Sequence, residues 1–455
     1  MSSLQVGLAA LVGCSWAVFG GTDHLLFTNA DWHVRDAVLH DLVNSHWPVG
    51  YGLWHGKETV LRAPLGYFLP AAAIGKGMGL AAAHMAMAFW TALGATLFLL
   101  QVLSLTPPRL PVALLVACVV VLFSGMDIVG SLLNDGPRFR SDWNITTHLE
   151  WWAGNYQYSS MTTQLFWVPN HALAGWLLIG LLYRDDCFAQ LEAILPILVV
   201  AVALWSPLTA IGSVPFVLWK VGASARRQHS LKVLRPGVWA PAAAVGMVIA
   251  AYFALDPSGI PKGLALHNKL VVDDALDLAR QAQFFLLEAG FIGLAILAIR
   301  RSREVILALL ILAVLPFAHF GPGNDLVMRA SIPSLAVLVI GACLALINKT
   351  ADGRSFPKKV ALGCLLAVGA VTPVAEFARA VVLPAWPINM QATLIGADCG
   401  GFAPHYVARL DHEVIIHLLR DPSRISLGPL GPEACDNPAF DLMWPRKPSV
   451  NLGKQ

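Results

Sequence analysis

The sequence predicts an all-α fold: a polytopic membrane helix bundle of about eleven transmembrane helices, with interfacial helices on the outer side. Three observations carry this expectation. Of 455 residues, 56% are hydrophobic and only 13% charged, about half the charged share of a soluble domain. Apolar runs close to the ~20 residues that a bilayer demands recur along the whole chain. Lysine and arginine gather in short connections that all fall on one side of such a bundle. Runs of this length and number cannot all hide in a water-soluble core, so a lipid bilayer is the first partner the chain implies. The net charge of +3 mostly restates the loop bias, and no nucleic-acid partner is expected.

The first apolar run, residues 4–21, is kept as a membrane anchor. It has no basic region ahead of it and no small-x-small cleavage site before Thr22. Further candidate spans lie at 82–105, 111–131, 163–183, 189–205, 207–222, 236–255, 281–299, 304–320, 330–347 and 359–378. Residues 66–80 (GYFLPAAAIGKGMGL) are too short and too glycine-rich to cross, and are expected to lie in the outer interface with Lys76 snorkelling. The basic connections then share a side: Arg109; Arg226, Arg227, Lys232 and Arg235; Arg300, Arg301 and Arg303; Lys349, Arg354, Lys358 and Lys359. This puts the N-terminus inside and the C-terminal segment outside, the expectation being a bacterial inner membrane with a cytoplasmic N-terminus and a periplasmic C-terminus. The chain divides into a transmembrane domain, 1–378, with outer loops at 22–81, 132–162 and 256–280, and an outer C-terminal segment, 379–455. No internal repeat and no low-complexity segment is present.

Cys14, Cys118, Cys343 and Cys364 fall inside helical runs, where small apolar packing is the default. Cys187 falls in an inner loop. Cys399 and Cys435 fall in the outer tail, where an oxidising compartment makes a disulfide between them an expectation.

The polar stretch Thr22 to Pro64 stands apart from its apolar surroundings. Within it, DWHVRDAVLHDLV (31–43) has helical periodicity, with Trp32, Val34, Val38, Leu39, Leu42 and Val43 on one arc. Asp31 and Arg35 fall in that arc, while His33, Asp36, His40 and Asp41 point to the polar side. An inward aspartate needs a partner or a task. Asp31 is therefore either the N-cap of its helix or a general base in a partly desolvated pocket with Arg35 beside it. His33, Asp36 and His40 form a solvated face rather than a metal site, because the two histidines are about two turns apart. Lys57 and Arg62 supply cations for a carrier phosphate, or simply contact lipid headgroups.

The second outer loop is dense in aromatic groups. Trp143, His148, Glu150, Trp151, Trp152, Tyr156 and Tyr158 suit either an interfacial girdle or a platform for carbohydrate. Farther on, Asp325 and Arg329 lie one turn apart at a glycine-rich outer turn, as a local ion pair or as a phosphate site. His84, Asp127, Asn170, His171, Glu288, His319 and Glu376 sit near outer helix ends, and as a set they favour a cavity opening outward.

Two segments, TNADWHVRDAVLHDLVNSHWP (28–48) and RAPLGYFLPAAAIGKGMG (62–79), give the N-terminal quarter its likeness to known proteins. The layout resembles the GT-C superfamily of integral membrane glycosyltransferases, which includes protein O-mannosyltransferases and aminoarabinose transferases. The rest of the chain is similar only in general topology. The resemblance implies transfer of a sugar from a polyprenyl-phosphate carrier to a glycan, lipid or protein acceptor on the periplasmic face, with inversion. It implies Asp31 as the catalytic base, with Asp23, Asp36 and Asp41 as rivals, and places Arg62 near the carrier phosphate. Arg35, Lys57, His148, Glu150, His171, Asp325 and Arg329 complete the expected substrate-binding set. No cofactor is assigned beyond the donor substrate, and a divalent metal is not indicated. The alternatives are a lipid-carrier flippase or transporter, and a non-catalytic component of an envelope polysaccharide export system.

Overall fold

The computed structural model describes residues 2–54, 57–184, 191–228, 236–255, 260–264, 274–321, 323–348, 355–394, 406–409 and 423–424. The expected Cys399–Cys435 bond, Cys187 and most of the third outer loop lie outside the described residues.

Helix α1 (Ser3–Phe19) starts at a capping box, in which Ser2 Oγ accepts from the Gln5 amide and Gln5 Oε1 from the Ser2 amide. A loop leads to α2 (Asp31–Asn44), close to the expected helix. Two strands follow, β1 (Val49–Trp54) and β2 (Lys57–Leu61), then α3 (Leu69–Met78). Gly79, at φ +89°, turns the chain sharply from α3 into the 25-residue α4 (Leu80–Ser104). Helix α3 is the short helix expected at the interface. Its Lys76 Nζ donates to the Ser45 carbonyl at the end of α2, 2.5 Å away, and lies over the Trp47 ring. A free carbonyl at a helix C-terminus is a ready partner for an ammonium.

The bundle continues through α5 (Leu110–Leu122), α6 (Asp127–Asp142, kinked at Gly136), a 3-10 turn at Leu149–Ala153, α7 (Met161–Trp167) and α8 (Pro169–Leu182). Next come α9 (Leu195–Trp205), α10 (Pro207–Gln228) and α11 (Pro236–Phe253). Helix α12 (Asp274–Phe285) runs through a π turn at Leu286–Gly290 into α13 (Phe291–Ile299), followed by α14 (Arg303–Val314). The last helices are α15 (Asp325–Ala330), α16 (Ile332–Ile347), α17 (Ser355–Gly369) and α18 (Val371–Val382).

Among the described residues, seven helical stretches are long and apolar enough to cross a membrane: Leu80–Ser104, Leu110–Asn134, Pro207–Arg226, Pro236–Phe253, Leu278–Ile299, Asp325–Ile347 and Ser355–Val382. Shorter apolar helices occupy Ser3–Phe19, Pro169–Leu182 and Leu195–Trp205. The chain is thus mostly helical, with the character of an integral membrane protein. Helix α16 is its central post, buried on nearly all sides, and packs on α8, α14 and α5. Large apolar side chains such as Phe89, Leu218, Val248, Leu310 and Val374 stay exposed on the periphery, as lipid-facing positions require.

Two small sheets depart from the all-helical expectation. In the first, β1 and β2 pair antiparallel, with β5 (Val407–Arg409) added beside β2 and β6 (Ser423–Arg424) beside β1. The tyrosine and β-branched residues of 49–61 favour extended backbone, and the C-terminal segment supplies the outer strands. The second sheet joins β3 (Lys262–Leu264) to β4 (Ala318–Phe320).

Candidate functional site

Helix α2 is held against the bundle by its own first turn. Asn29 Nδ2 and Trp32 Nε1 both donate to the Phe166 carbonyl near the end of α7, at 2.8 and 3.0 Å. From the other side the C-terminal segment closes over the helix. Trp386 donates to the Thr28 carbonyl at 2.7 Å and stacks on His33 with ring centroids 4.2 Å apart.

This double enclosure overturns the helical-face expectation for the acids. Asp36 and Asp41 are buried, at 2% and 0% exposure, whereas the Asp31 side chain is 36% exposed. A helix wheel assumes one solvent face, and α2 is covered on both. Nor is Asp31 a cap: the helix begins at it, with Ala30 ahead and no side-chain cap bond. Its Oδ2 instead accepts from Arg35 Nη2 at 3.2 Å.

Asp41 serves as a clasp. It accepts from the Tyr51 hydroxyl and the Leu394 amide, both at 2.9 Å, and pairs with His40 at 3.0 Å. Burial raises its pKa, and these hydrogen bonds oppose the rise. Asp36 lies 3.0 Å from His24 Nε2 and 3.8 Å from His84 Nδ1, without hydrogen-bond alignment to either. His33 leaves the expected polar face to lie under Trp386, and its pKa is lowered by burial.

Arg35 is the most informative residue of the helix. It is 3% exposed, its guanidinium lies over the Trp32 ring, and Nη2 is bonded to Asp31; Nε and Nη1 are buried and have no hydrogen-bond partner among the described residues. Buried guanidinium donors without acceptors are costly, and an anion is the group that satisfies them.

A second acid–base pair converges on the same region. Asp325 Oδ1 accepts from Arg329 Nη2 at 3.3 Å, one turn apart on α15, as the spacing suggests. Arg329 and Arg35 are both within electrostatic reach of His171, whose Nδ1 lies 2.7 Å from Ser206 Oγ in the break between α9 and α10. Both pairs also act on Tyr406, whose hydroxyl pKa is raised chiefly by burial. Sequence reasoning missed Tyr406. It reaches the site because β5 pairs with β2, and nothing local in the tail marks that pairing.

Arg62 lies at the edge of this region. Its amide donates to the Tyr406 carbonyl at 2.6 Å and its guanidinium to the Leu255 carbonyl beyond α11, so it ties sheet to bundle. Lys57 belongs to β2, opposite Trp54; its side chain is outside the described residues.

The segment around Leu149–Ala153 supplies the neighbouring wall. His148 is buried, stacked on Trp151 with centroids 4.8 Å apart, with Nε2 3.9 Å from Glu376 Oε1. Burial lowers its pKa to about 4, and it lies within the field of Asp31. Glu376 accepts from Trp167 Nε1 and pairs with Arg379, whose Nε and Nη2 hold the Ile145 and Thr147 carbonyls. A small pocket lined by Gly20, Phe27, Asn29, Phe166, Glu376 and Arg379 has room for roughly one water molecule. Trp151, packed against His148 and Trp167, and Trp143 each expose nearly half their surface. Glu150 faces inward, accepting from the Ser160 amide at 2.8 Å and Gln157 Nε2 at 2.7 Å. Burial first, and then the Asp127 charge, raise its pKa to about 8.

Among the described residues, no group of three or more histidine, cysteine, aspartate or glutamate side chains is placed to hold a metal ion. No family model, curated protein or solved structure matches the chain.

Proposed function

We propose that the chain is a GT-C type membrane glycosyltransferase that moves a sugar from a polyprenyl-phosphate carrier to an acceptor on the periplasmic face. The observation that carries this reading is the pair of unsatisfied donors on buried Arg35, beside half-exposed Asp31 and near Arg329. One carboxylate open to an incoming hydroxyl, and two guanidinium groups that both act on His171 and Tyr406, form a set that suits displacement of a phosphate. Asp31 takes the acceptor O–H proton as the acceptor oxygen attacks the sugar's anomeric carbon. The bond from that carbon to the phosphate oxygen breaks with inversion. Arg35, with Arg329, meets the charge that grows on the leaving phosphate. His171 positions the region through Ser206, and the exposed Trp151 and Trp143 rings flank the acceptor path. The same proposal takes eleven spanning segments, with the N-terminus cytoplasmic and the C-terminal segment periplasmic, so that the site would open on the outer side of a bacterial inner membrane.

The test uses membranes containing the full chain and a radiolabelled polyprenyl-phosphate sugar. Transfer is expected to fall by about 10²- to 10⁴-fold in Asp31→Asn, with the protein still monodisperse in detergent. Arg35→Gln is expected to weaken donor use more than Arg35→Lys does. Unchanged transfer in Asp31→Asn, with loss in Asp36→Asn or Asp41→Asn, would move the base to one of those residues.

A second reading, a carrier flippase or transporter, is favoured by one observation. Helices α5/α6, α12/α13 and α17/α18 are all interrupted near buried carboxylates, the arrangement in which broken helices bind ions. Movement of labelled carrier across the bilayer without sugar transfer would select it.

A further inference from the structure

Three interrupted helices meet at one point that the proposed transfer site does not use. Residues 123–126 are non-helical between α5 and α6, the π turn at Leu286–Gly290 bulges between α12 and α13, and Ala370 separates α17 from α18. The interruptions are bonded to one another. The Met126 amide donates to the Leu287 carbonyl at 3.1 Å, and Thr372 Oγ1 donates to Asp127 Oδ2 at 2.8 Å. A Cβ at Gly369 would overlap the Ser124 carbonyl, so only glycine permits this approach.

Two carboxyl groups lie at the junction. Asp127 Oδ2 accepts from Ser124 Oγ and Thr372 Oγ1, and Glu288 Oε1 accepts from Trp152 Nε1 at 2.8 Å. Glu288 is 1% exposed and its Oε2 has no donor among the described residues. That oxygen faces Gly125, where a Cβ would overlap it, and Asp127 is within hydrogen-bonding reach. Among the described residues neither carboxylate has an ion-pair partner. The nearest titratable groups are Glu150 on the 3-10 turn and Tyr158 in the loop after it, with Glu376 and Arg379 of α18 beyond. Arg280 of α12 is exposed, and the charged residues of α14 and α17, Arg303, Glu304, Lys358 and Lys359, lie at the far ends of those helices.

Two isolated carboxylates in contact cannot both carry charge in an apolar interior, and neutral hydroxyl and indole donors do not compensate a second one. We propose that Asp127 and Glu288 form a proton-binding site, holding one exchangeable proton between them and trading it with the outer face through Glu150. The proton bonds one carboxyl to the other and satisfies the orphaned Oε2. Glu150 first gives its own proton to water on the side where its Oε2 is bonded to half-buried Gln157, and the carboxylate so formed then takes the proton of the pair. Loss of the proton leaves two negative charges between three interrupted helices, so occupancy is coupled to how closely those helices pack. This site is independent of the sugar-transfer reading.

Infrared spectroscopy of the full-length protein in lipid nanodiscs tests it. At neutral pH two protonated carboxyl stretches that shift in heavy water are expected, one from Glu150 that is lost in Glu150→Gln, and one from the pair that is lost in both Glu288→Gln and Asp127→Asn. Glu150→Gln is expected to keep the pair's band but slow its deuterium exchange severalfold. Thr372→Val, which removes only one donor, is expected to shift the band and serves if the carboxamide variants do not fold. The proposal is overturned if the pair's band survives either of its carboxamide variants, if Thr372→Val leaves its frequency unchanged, or if it never exchanges in heavy water. Loss of the band on adding sodium chloride at constant pH would also overturn it, because the occupant would then be a metal cation.

Discussion

Asp31, Asp36 and Asp41 lie on one helix and occupy three different environments. Asp31 meets solvent and Arg35, Asp36 meets two histidines, and Asp41 is spent on Tyr51, Leu394 and His40. Spacing alone paired Asp31 with Arg35 and Asp325 with Arg329, because partners four residues apart need only the helix they share. Which acids face water was not legible, because that depends on Trp386 and Leu394, more than 340 residues away in sequence. Glu150 offers a prediction at the same scale. Its carboxyl, raised from 4.5 to about 8, binds more protons in the folded than in the unfolded state between those values. Stability is therefore fully supported by this group below pH 4.5 and lost as pH rises toward 8. Melting temperature across that range should fall with pH in the wild type and fall less in Glu150→Gln. Equal slopes would remove the assignment.

At the scale of elements, α2 and α3 were legible because each carries its own signal: apolar spacing in one, and a short glycine-rich run in the other. The strands were less so. Residues 49–61 have strand-forming character, but a two-stranded hairpin is marginal alone, and β5 and β6 complete it from a distant part of the chain. The interruptions at 123–126, 286–290 and 370 left only glycines and buried acids as their trace. Gly125 is the sharpest of these marks. Gly125→Ala forces a methyl against Glu288 and is expected to cost about 1–3 kcal/mol of stability. Gly7→Ala, on an exposed face of α1 with nothing within 4 Å, should be neutral or stabilising by about 0.5–1 kcal/mol. Unfolding in mixed micelles measures both, and equal effects would show that the junction is not tightly packed.

For the whole molecule, the proposed orientation makes a direct prediction. An alkaline phosphatase fused after Val382 should be active, and one fused after Gln228 inactive, because only the first would emerge on the periplasmic side. The reverse pattern would invert the topology and move the Asp31 site inside. Composition and apolar run length determined by themselves that this is a helical membrane protein, since hydropathy is a property of each segment and needs no partner. Asp31 and Arg35 were marked as a pair for the same reason. Only the tertiary structure decided that Arg35 keeps unsatisfied donors, that Tyr406 joins it, and that Asp127 meets Glu288 across three interrupted helices. Those relations join residues from distant parts of the chain, and the packing of whole helices sets them, which no local pattern encodes.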